Sequence, residues 1–242
     1  MSNTKINGII LSENNLGDFD KMLTMLTPGV GKISCVAKGA RRPKSALLAG
    51  TQMFCFGEYL VYKGSNTYHI NSVEPIEVFY NIRTDLDKLK YAVHINKIIQ
   101  DVTHENQNCY NILQLLLNTL YTISETDKNL DLVLSVFKLR LLCILGFTPK
   151  LTECTNCKEK EKLNQFSIRD NGVKCEICSK QDKSTINMSE STANAIKYVV
   201  TAPAKKLYSF NIKDESLEEF KLITKIYFND KLEKEYKLED LF

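Results

Sequence analysis

The sequence predicts an α+β protein in which a small antiparallel β-barrel or β-sandwich precedes a helical bundle. Three observations lead to this prediction. Residues 4–74 contain short apolar and aromatic runs that are separated by turn-forming residues. Beyond Pro75 the apolar residues recur with the period of a helix. Between residues 148 and 186 this period is lost, and two pairs of cysteines lie in that segment.

Five runs in the first part predict five β-strands. They are rich in β-branched, aromatic and other apolar residues, which favour extended backbone. The runs read KINGIIL, FDKMLTMLT, KISCVAK, MFCFGEYLVYK and TYHINSVE. Turn-forming segments such as ENNLG, TPGVG and KGSN separate them. No helix long enough for a βαβ crossover lies between the strands, so we expect a small antiparallel barrel or sandwich.

Helical periodicity governs most of the chain beyond the strands. Apolar side chains recur on one stripe in three successive segments, and two more helices follow the irregular part. The predicted helices span residues 85–103, 107–124, 128–145, 189–201 and 215–230. Gly146 is placed to end the third helix, and Asp214 or Ser216 could cap the last one. The second part is therefore expected to be a helical bundle with an irregular insertion.

The most apolar segment, residues 132–147, is interrupted by Lys138 and Arg140. A membrane span needs roughly 18 or more nearly uncharged residues, so this segment is expected to be a buried helix. The N-terminus shows no secretory signal. We therefore expect a protein without membrane contact that works in the reducing cytoplasm. The net charge of +3 does not by itself indicate a nucleic-acid partner.

Four of the eight cysteines predict a metal site. Cys154 and Cys157 form one C-x2-C pair, and after seventeen residues Cys175 and Cys178 form another. This spacing is typical of tetrahedral zinc, because each tight turn directs two sulfurs at one ion at about 2.3 Å. Four thiolates leave no open coordination position, so Zn2+ here would be structural. Coincidence or a redox arrangement is the alternative. We expect a hairpin between the pairs, with Asn171-Gly172 as its turn.

No catalytic constellation is recognisable in the sequence. The three histidines are His69, His94 and His104, and none lies in the H-x-E arrangement of a zinc deaminase. His94 is expected to be packed within a helix, and His69 to be exposed on a strand. TPGVGKIS lacks the early glycine and the Ser or Thr of a phosphate-binding loop. Because no nucleophile with a neighbouring base is visible, we do not expect an enzyme.

A local excess of positive charge is the most informative electrostatic feature. No acidic residue lies between Asp20 and Glu58. The same interval contains Lys21, Lys32, Lys38, Arg41, Arg42 and Lys44. Arg binds phosphate through a bidentate fork and Lys acts as a point charge, so such a cluster suits a polyanion. Gly39 permits close approach of the backbone, and Pro43 stiffens the loop. The alternative is an ordinary solvated loop.

Aromatic residues accompany these cations on the predicted strands. Barrels of five strands bind single-stranded nucleic acid with a charged groove and stacking aromatic rings. The fourth and fifth predicted strands carry Phe54, Phe56, Tyr59, Tyr62 and Tyr68. Most of these are expected in the core, and one or two could face outward as base platforms.

Several segments resemble the RecO family of recombination mediators. They read GIILSENNLGDFDKMLTMLTPGVGKISCVAKGARRPKS, LRLLCILGFTPKLTECTNC, NGVKCEIC and YFNDKLEKEYKLEDLF, in the order of that family. The resemblance implies an N-terminal OB-fold over residues 1–80 and a helical domain over residues 81–242, with a zinc-binding insertion at 150–182. Two departures are Asp18, where the family tends to have Glu, and the acidic KLEDLF end, where a more basic tail is common.

The resemblance also implies a function and its partners. RecO-like proteins bind single- and double-stranded DNA, anneal complementary strands, and with RecR load RecA onto strands coated by single-stranded-DNA-binding protein. The implied DNA-binding residues are Lys38, Arg41, Arg42 and Lys44, to which the sequence adds Lys32, and the implied zinc ligands are the four paired cysteines. A nucleoid-associated, non-enzymatic mediator is thus expected. A scaffold whose basic barrel surface binds an acidic protein is the alternative.

Overall fold

A computed structural model describes residues 3–65 and 67–238 of the chain. The chain forms two compact units, the first of which ends at Glu125 while the second begins at Thr126. Each unit is described by itself. The acidic end of KLEDLF, at residues 239–242, lies outside the described residues.

The first unit begins with a closed barrel of five strands in the order β1-β2-β3-β5-β4. The strands are β1 (Thr4–Leu16), β2 (Asp20–Thr27), β3 (Gly31–Ala37), β4 (Phe56–Lys63) and β5 (Tyr68–Glu77). The barrel closes because β1 pairs with both β2 and β4. This arrangement confirms the barrel and excludes the sandwich.

One pair of strands departs from the antiparallel expectation. β3 and β5 run parallel, with Cys35 opposite Tyr68 and Val36 opposite His69. The reason is geometric, because strand direction cannot alternate throughout a closed ring with an odd number of strands. The β2–β3 turn follows Thr27 and includes Pro28, as the sequence predicts.

The strand boundaries differ from the predicted ones at two places. β1 continues to Leu16, so most of the segment read as the turn ENNLG is paired with β2. The fourth strand begins at Phe56, three residues later than predicted. Phe54 has a φ of 68° and is buried, and it bonds to β1 through its backbone outside the regular ladder. Apolar character alone therefore does not separate a strand from a buried loop residue.

The barrel core holds side chains from all five strands and from the connection between β3 and β4. Tyr59 is fully buried, and its hydroxyl donates to the carbonyl oxygens of Gly50 at 2.8 Å and Cys55 at 3.2 Å. These bonds satisfy the one polar atom that the ring carries into the core. Ala40 and Leu47 belong to the same core cluster, so the β3–β4 connection is fixed at two points.

Three helices complete the first unit: α1 (Tyr80–Arg83), α2 (Leu86–Val102) and α3 (Tyr110–Glu125). The last two agree with the predicted helices. Asp85 caps α2 by accepting from two backbone N–H groups of its first turn. Asn96 donates to the carbonyl oxygen of Leu11 on β1 at 2.9 Å, so α2 is bonded to the barrel. His94 is buried on α2, as expected.

The second unit contains α4 (Leu130–Ile144), α6 (Glu190–Thr201), a short 3-10 helix (Ala204–Lys206) and α7 (Asp214–Leu232). Gly146 follows α4 with a φ of 96°, as the sequence predicts. The predicted cap of the last helix is wrong. Lys213 occupies the cap position, and no side chain bonds there. Asp214 lies in the first turn with a φ of 54°, so its side chain is not in capping geometry.

The irregular insertion lies between α4 and α6. Its elements are β6 (Gln165–Ser167), β7 (Gly172–Lys174), α5 (Glu176–Ser179) and β8 (Thr185–Asn187), and the strands form a sheet in the order β7-β6-β8. The predicted hairpin is present as β6 and β7. Asn171 has a φ of 54° and ends the turn, whereas Gly172 already belongs to β7.

The charged side chain of Arg140, within the apolar helix α4, has hydrogen-bond partners at the end of α6. Its guanidinium donates to the carbonyl oxygens of Val199, Val200 and Ala202 at 3.0, 2.8 and 2.7 Å. These carbonyls lie at the end of α6, where a helix leaves acceptors unpaired and favours a cation.

Within the described part of the chain, no helix combines the length and the apolar character that a bilayer crossing requires.

The domain boundary expected at residue 80 stays a prediction. The barrel ends near this position, but α1, α2 and α3 belong to the same compact unit as the barrel.

Candidate nucleic-acid interface and metal centre

The basic segment forms a loop that leaves the barrel at the end of β3. Three successive turns shape it, through backbone bonds from Arg42 to Gly39, from Ser45 to Arg42 and from Leu48 to Ser45 at 3.0–3.1 Å. Gly39 has a φ of 65°, a conformation that costs glycine little. The segment from Lys38 to Lys44 is hereafter the basic loop.

The basic loop is bonded to the turn between β1 and β2. The backbone N–H of Arg41 donates to the carbonyl oxygen of Phe19 at 2.9 Å. The Arg41 guanidinium donates to the carbonyl oxygens of Gly17 and Asp18, both at 3.2 Å. The backbone N–H of Gly39 donates to the Asp20 carboxylate at 2.7 Å. These bonds hold the loop and the turn together as one surface.

Four cations of the basic loop face solvent. Lys38, Arg41, Arg42 and Lys44 are all exposed. Throughout residues 3–65 and 67–238, no carboxylate lies within the 4.0 Å of an ion pair with any of them. Among the described residues, the carboxylate that the loop engages is that of Asp20, and it accepts from a backbone N–H group. The positive charge of the loop is therefore available to an anion.

Lys32 differs from these four residues. It lies on β3, is half-buried, and donates through its ammonium group to the carbonyl oxygen of Gln100 on α2. Its side chain thus contributes to the contact between strand and helix. The structure does not bring Lys32 into the basic loop.

The predicted aromatic residues divide between core and surface. Phe54 and Tyr59 are buried, whereas Phe56, Tyr62 and Tyr68 are half-buried. Of the half-buried rings, Tyr62 is stacked on His69, with centroids 4.8 Å apart and planes 12° from parallel. His69 is thus half-buried under this contact and not exposed as expected.

The most exposed aromatic ring beside the cations belongs to a residue that sequence reasoning missed. Phe19 is 47% exposed, and the Arg42 guanidinium lies 5.3 Å from its ring centroid. It was assigned to the second strand, yet β2 begins one residue later, at Asp20. Its position directly after Gly17-Asp18 is a turn signal that could have revealed it.

The four paired cysteines form a cluster that fits a metal ion. The sulfurs of Cys154, Cys157, Cys175 and Cys178 all lie within 4.8 Å of one another. A tetrahedron with metal–sulfur distances of about 2.3 Å has sulfurs about 3.8 Å apart, and the Cys157 and Cys175 sulfurs are 3.6 Å apart. The predicted ligand set is therefore assembled. The cluster is consistent with structural zinc.

Backbone donors favour one thiolate in the cluster, that of Cys154. The pKa of Cys157 is raised instead, because the backbone N–H of Glu159, which acts to lower it, is outweighed by hydrogen bonds with the sulfurs of the other three cysteines. The pKa of the buried Cys154 thiol is lowered to about 6. Burial opposes this change, but backbone N–H groups of Cys157, Cys175 and Asn156 stabilise the thiolate and prevail. Several thiolates at this spacing repel one another unless a cation lies among them. The donor set therefore suits a divalent metal that prefers sulfur.

A buried ion pair supports the insertion beside this centre. The Lys174 ammonium lies 2.8 Å from the Asp182 carboxylate and 2.5 Å from Asp170. Asp182 also accepts from the hydroxyls of Ser167 at 2.6 Å and Ser184 at 2.7 Å. Although burial alone would raise it, the pKa of Asp182 is held well below its usual range by these donors. The network joins β6 and β7 to the segment before β8.

A second group of cations surrounds a cavity of about 360 Å³ in the helical part of the second unit. Lys138, Lys221, Lys225 and Lys237 line it, together with Tyr236. Lys221 is paired with Asp131 and Glu218, and Lys237 with Glu235. Lys138 is buried, and its ammonium lies 5.5 Å from the ring centroid of Phe228.

The charge on Lys138 lowers the stability of the folded chain. Burial, aided by repulsion from Lys225, lowers the pKa of Lys138 to about 8, although Asp131 acts in the opposite direction. Because the unfolded chain binds this proton more tightly, the unfavourable contribution of Lys138 to stability decreases as the pH rises between about 8 and 10.5. We expect Lys138→Met to stabilise the protein at pH 7 by about 1–3 kcal/mol.

Urea unfolding from pH 7 to 10.5 checks this expectation. The gain from Lys138→Met should shrink as the pH rises, since the native lysine then loses its proton in the folded state. Lys197→Met, at an exposed position on α6, is the matched control and should change stability by less than about 0.5 kcal/mol. A pH-independent gain would show that packing and not charge is responsible.

Comparison with known proteins identifies the family. Family models described as recombination protein O N terminal and recombination protein O C terminal match residues 1–79 and 83–239. The chain is similar to the DNA repair protein RecO of Acetivibrio thermocellus, at 40% identity covering 98% of this chain and 94% of that protein. The DNA repair proteins RecO of Alkaliphilus metalliredigens (33% identity; 92% and 91% covered) and Bacillus subtilis (30%; 94% and 89%) are also similar. The chain therefore belongs to the RecO family of DNA repair proteins.

Proposed function

We propose that this protein is a non-enzymatic recombination mediator that binds single- and double-stranded DNA and anneals complementary strands. The single observation that carries the proposal is the exposure of four cations, Lys38, Arg41, Arg42 and Lys44, on one loop of a five-stranded barrel, where none of them has an ion-pair partner among the described residues. Barrels of this kind bind nucleic acid through their loops and one sheet face. Membership in a family of DNA repair proteins supports this reading.

Annealing on this surface needs no bond-breaking chemistry. Two DNA strands repel each other through their phosphates, and cations held between them reduce that repulsion. Base pairing then supplies the driving force. The basic loop is held to the β1–β2 turn by backbone and side-chain bonds, so its cations are presented without much reordering.

We extend the proposal to the protein partners of the mediator. The family resemblance supports RecR as a partner. It also supports single-stranded-DNA-binding protein as a partner, because that protein coats the strands onto which RecA is loaded. Lys138 and Lys225 line a cavity whose other two lysines are paired with carboxylates. These two cations favour contact with an acidic protein segment, because the buried charge of Lys138 would be neutralised there. An acidic partner in place of DNA on the basic loop is the second candidate function.

The metal we propose for the four cysteines is a structural Zn2+. Cys154, Cys157, Cys175 and Cys178 would all be ligands, which leaves no position for water or substrate. When bound, the ion supplies cross-linking of the two C-x2-C turns. The insertion has three-residue strands, which cannot by themselves bury a stable core.

Charge reversal in the basic loop tests DNA binding. Lys38→Glu with Lys44→Glu changes the formal net charge from +3 to −1, two units at each position. If about four cations contact phosphates, the log–log salt slope for a single strand is near −3 in the wild type and about half of that in the variant. We expect affinity at moderate salt to fall roughly 10- to 100-fold. Fluorescence anisotropy with a labelled oligonucleotide across a salt series measures both quantities.

The matched control is Lys205→Glu with Lys206→Glu. These residues are adjacent exposed lysines in the second unit, and their reversal changes the net charge equally. Unchanged affinity and slope for the loop variant, or an equal loss in the control, would refute the assignment. Salt-insensitive binding of wild type to DNA, with strong loop-dependent binding to an acidic peptide, would favour the second candidate function.

A further inference from the structure

Phe19 is an exposed ring beside the basic loop, on a turn that also carries the exposed acidic residue Asp18. It lies at the tip of the β1–β2 turn, immediately before β2, and nearly half of its surface is accessible. A single exposed apolar side chain is ordinary, so what distinguishes Phe19 is its place beside the cations of the basic loop. Its immediate surroundings are the basic loop.

The backbone that carries the ring is held in place by the basic loop. Its own carbonyl oxygen accepts from the backbone N–H of Arg41 at 2.9 Å. The two preceding residues, Gly17 and Asp18, are bonded to the Arg41 guanidinium. On the side chain itself, the Arg42 guanidinium lies 5.3 Å from the ring centroid. A backbone fixed in this way keeps the ring beside the cations, so little reordering of the turn is needed when a ligand covers the ring.

We infer that Phe19, together with Arg42, forms a stacking platform for one unpaired base of single-stranded DNA. The inference rests on the proposed DNA binding and deepens it by naming the contact that distinguishes bases from phosphates. Stacking is available to every base, so the platform would recognise single strands without sequence preference. In a duplex the faces of the bases are already covered by their neighbours, so the platform would favour the unpaired state.

The cations nearby direct the ligand to the ring. Lys38 and Lys44 are exposed in the same loop and would hold phosphates on either side of a stacked nucleotide. The Arg42 guanidinium can stack on an aromatic face or contact a phosphate, so it can bind either the base or a phosphate of the nucleotide at the ring. Base stacking and phosphate contact therefore make separate, measurable contributions to affinity.

Phe19→Leu separates the two contributions. It keeps an apolar side chain of similar size, removes the ring and leaves every charge in place. We expect affinity for an oligothymidylate single strand to fall roughly 5- to 20-fold, with an unchanged salt slope. Affinity for a blunt duplex, and for a strand of equal length whose sugars carry no bases, should be unchanged. Phe19→Tyr should restore the wild-type affinity.

Phe19→Trp provides a direct optical reading. The chain contains no tryptophan, so the introduced residue is the only indole. Stacking on a base should quench its emission when oligothymidylate is added, whereas the abasic strand should leave the emission unchanged. Circular dichroism and thermal unfolding of each variant show that the fold is retained.

The possible outcomes separate the stacking platform from the proposed DNA binding on which it rests. Salt-dependent DNA binding with no effect of Phe19→Leu, or with equal losses for the single strand, the duplex and the abasic strand, overturns the platform alone. Absence of salt-dependent DNA binding by the wild-type chain overturns the proposed function, and the platform with it. An unquenched tryptophan in a variant that binds the strand tightly also overturns the platform.

Discussion

Substitution of one metal-ligating cysteine is expected to unfold the insertion. Cys154→Ser removes a buried thiolate from the four-sulfur cluster, and the three ligands that remain no longer complete the tetrahedron. Metal binding in small zinc modules contributes about 10–16 kcal/mol of apparent free energy, which in such modules is also folding free energy. The strands of the insertion are three residues long, so besides the metal it is mainly the buried ion pair of Lys174 with Asp182 that holds them together. Chelation of the wild-type protein should have the same effect.

Two measurements check this expectation. Elemental analysis of the reduced protein should find one zinc per chain in the wild type and none in Cys154→Ser. Hydrogen exchange should show loss of protection in β6 (Gln165–Ser167), β7 (Gly172–Lys174) and β8 (Thr185–Asn187). Cys143→Ser is the matched control, since this half-buried cysteine lies outside the cluster and should retain the metal.

Chelation also tests the separation of the two proposed roles. The basic loop belongs to the first unit, whose barrel core contains only residues of that unit. We therefore expect chelation to leave the affinity for an oligonucleotide unchanged. Strand annealing is measured with and without the chelator. A reduced protein that carries no stoichiometric zinc, or an insertion that keeps its protection without metal, would contradict the assignment of a structural metal.

The second large effect is expected from breaking the buried ion pair of the insertion. Lys174→Met leaves the buried Asp182 carboxylate with the exposed Arg169 guanidinium, 3.7 Å away, as its remaining cationic neighbour. Loss of one member of a buried pair costs about 3–5 kcal/mol, because the remaining charge stays desolvated. Asp182 keeps the hydroxyls of Ser167 and Ser184 as donors, so we expect the lower end of this range. Urea unfolding in the presence of zinc measures the change.

The pH dependence of the same pair has a defined sign. The pKa of Asp182 is lower in the folded than in the unfolded chain, so its contribution is present at neutral pH and is lost as the pH falls below about 4. In Lys174→Met this acid-dependent loss should be smaller. Lys183→Met, at an exposed neighbouring lysine, is the matched control and should change stability by less than about 0.5 kcal/mol.

A double substitution decides whether the pair itself is responsible. Lys174→Met combined with Asp182→Asn removes both charges, so much of the lost stability should return. A loss of under about 1 kcal/mol in Lys174→Met alone would mean that the Asp182 charge is solvated or otherwise compensated. Metal content must be measured in each variant, because Lys174 directly precedes a cysteine of the cluster.

Local patterns in the sequence determined much of the fold and of the metal centre. Alternation, turn residues and the change of period near Pro75 predicted the five strands and the long helices. The C-x2-C spacing predicted the four-sulfur cluster, because the geometry of such a turn depends on residues that are neighbours in the chain. Strand boundaries were less well determined, because an apolar residue such as Phe54 fits a strand and a buried loop equally well.

Only the tertiary structure decided which charged and aromatic residues are free to bind. Lys32 looks like its basic neighbours in sequence, yet it is bonded to Gln100, which lies 68 positions away. Phe19 becomes part of a cationic surface because the chain returns to it at Arg41 and Arg42. Such contacts depend on how distant segments pack, and the period of side chains along one element carries no information about them. The sequence by itself therefore determined the elements, the cysteine ligands and the set of cations, whereas packing between elements selected the binding surface from that set.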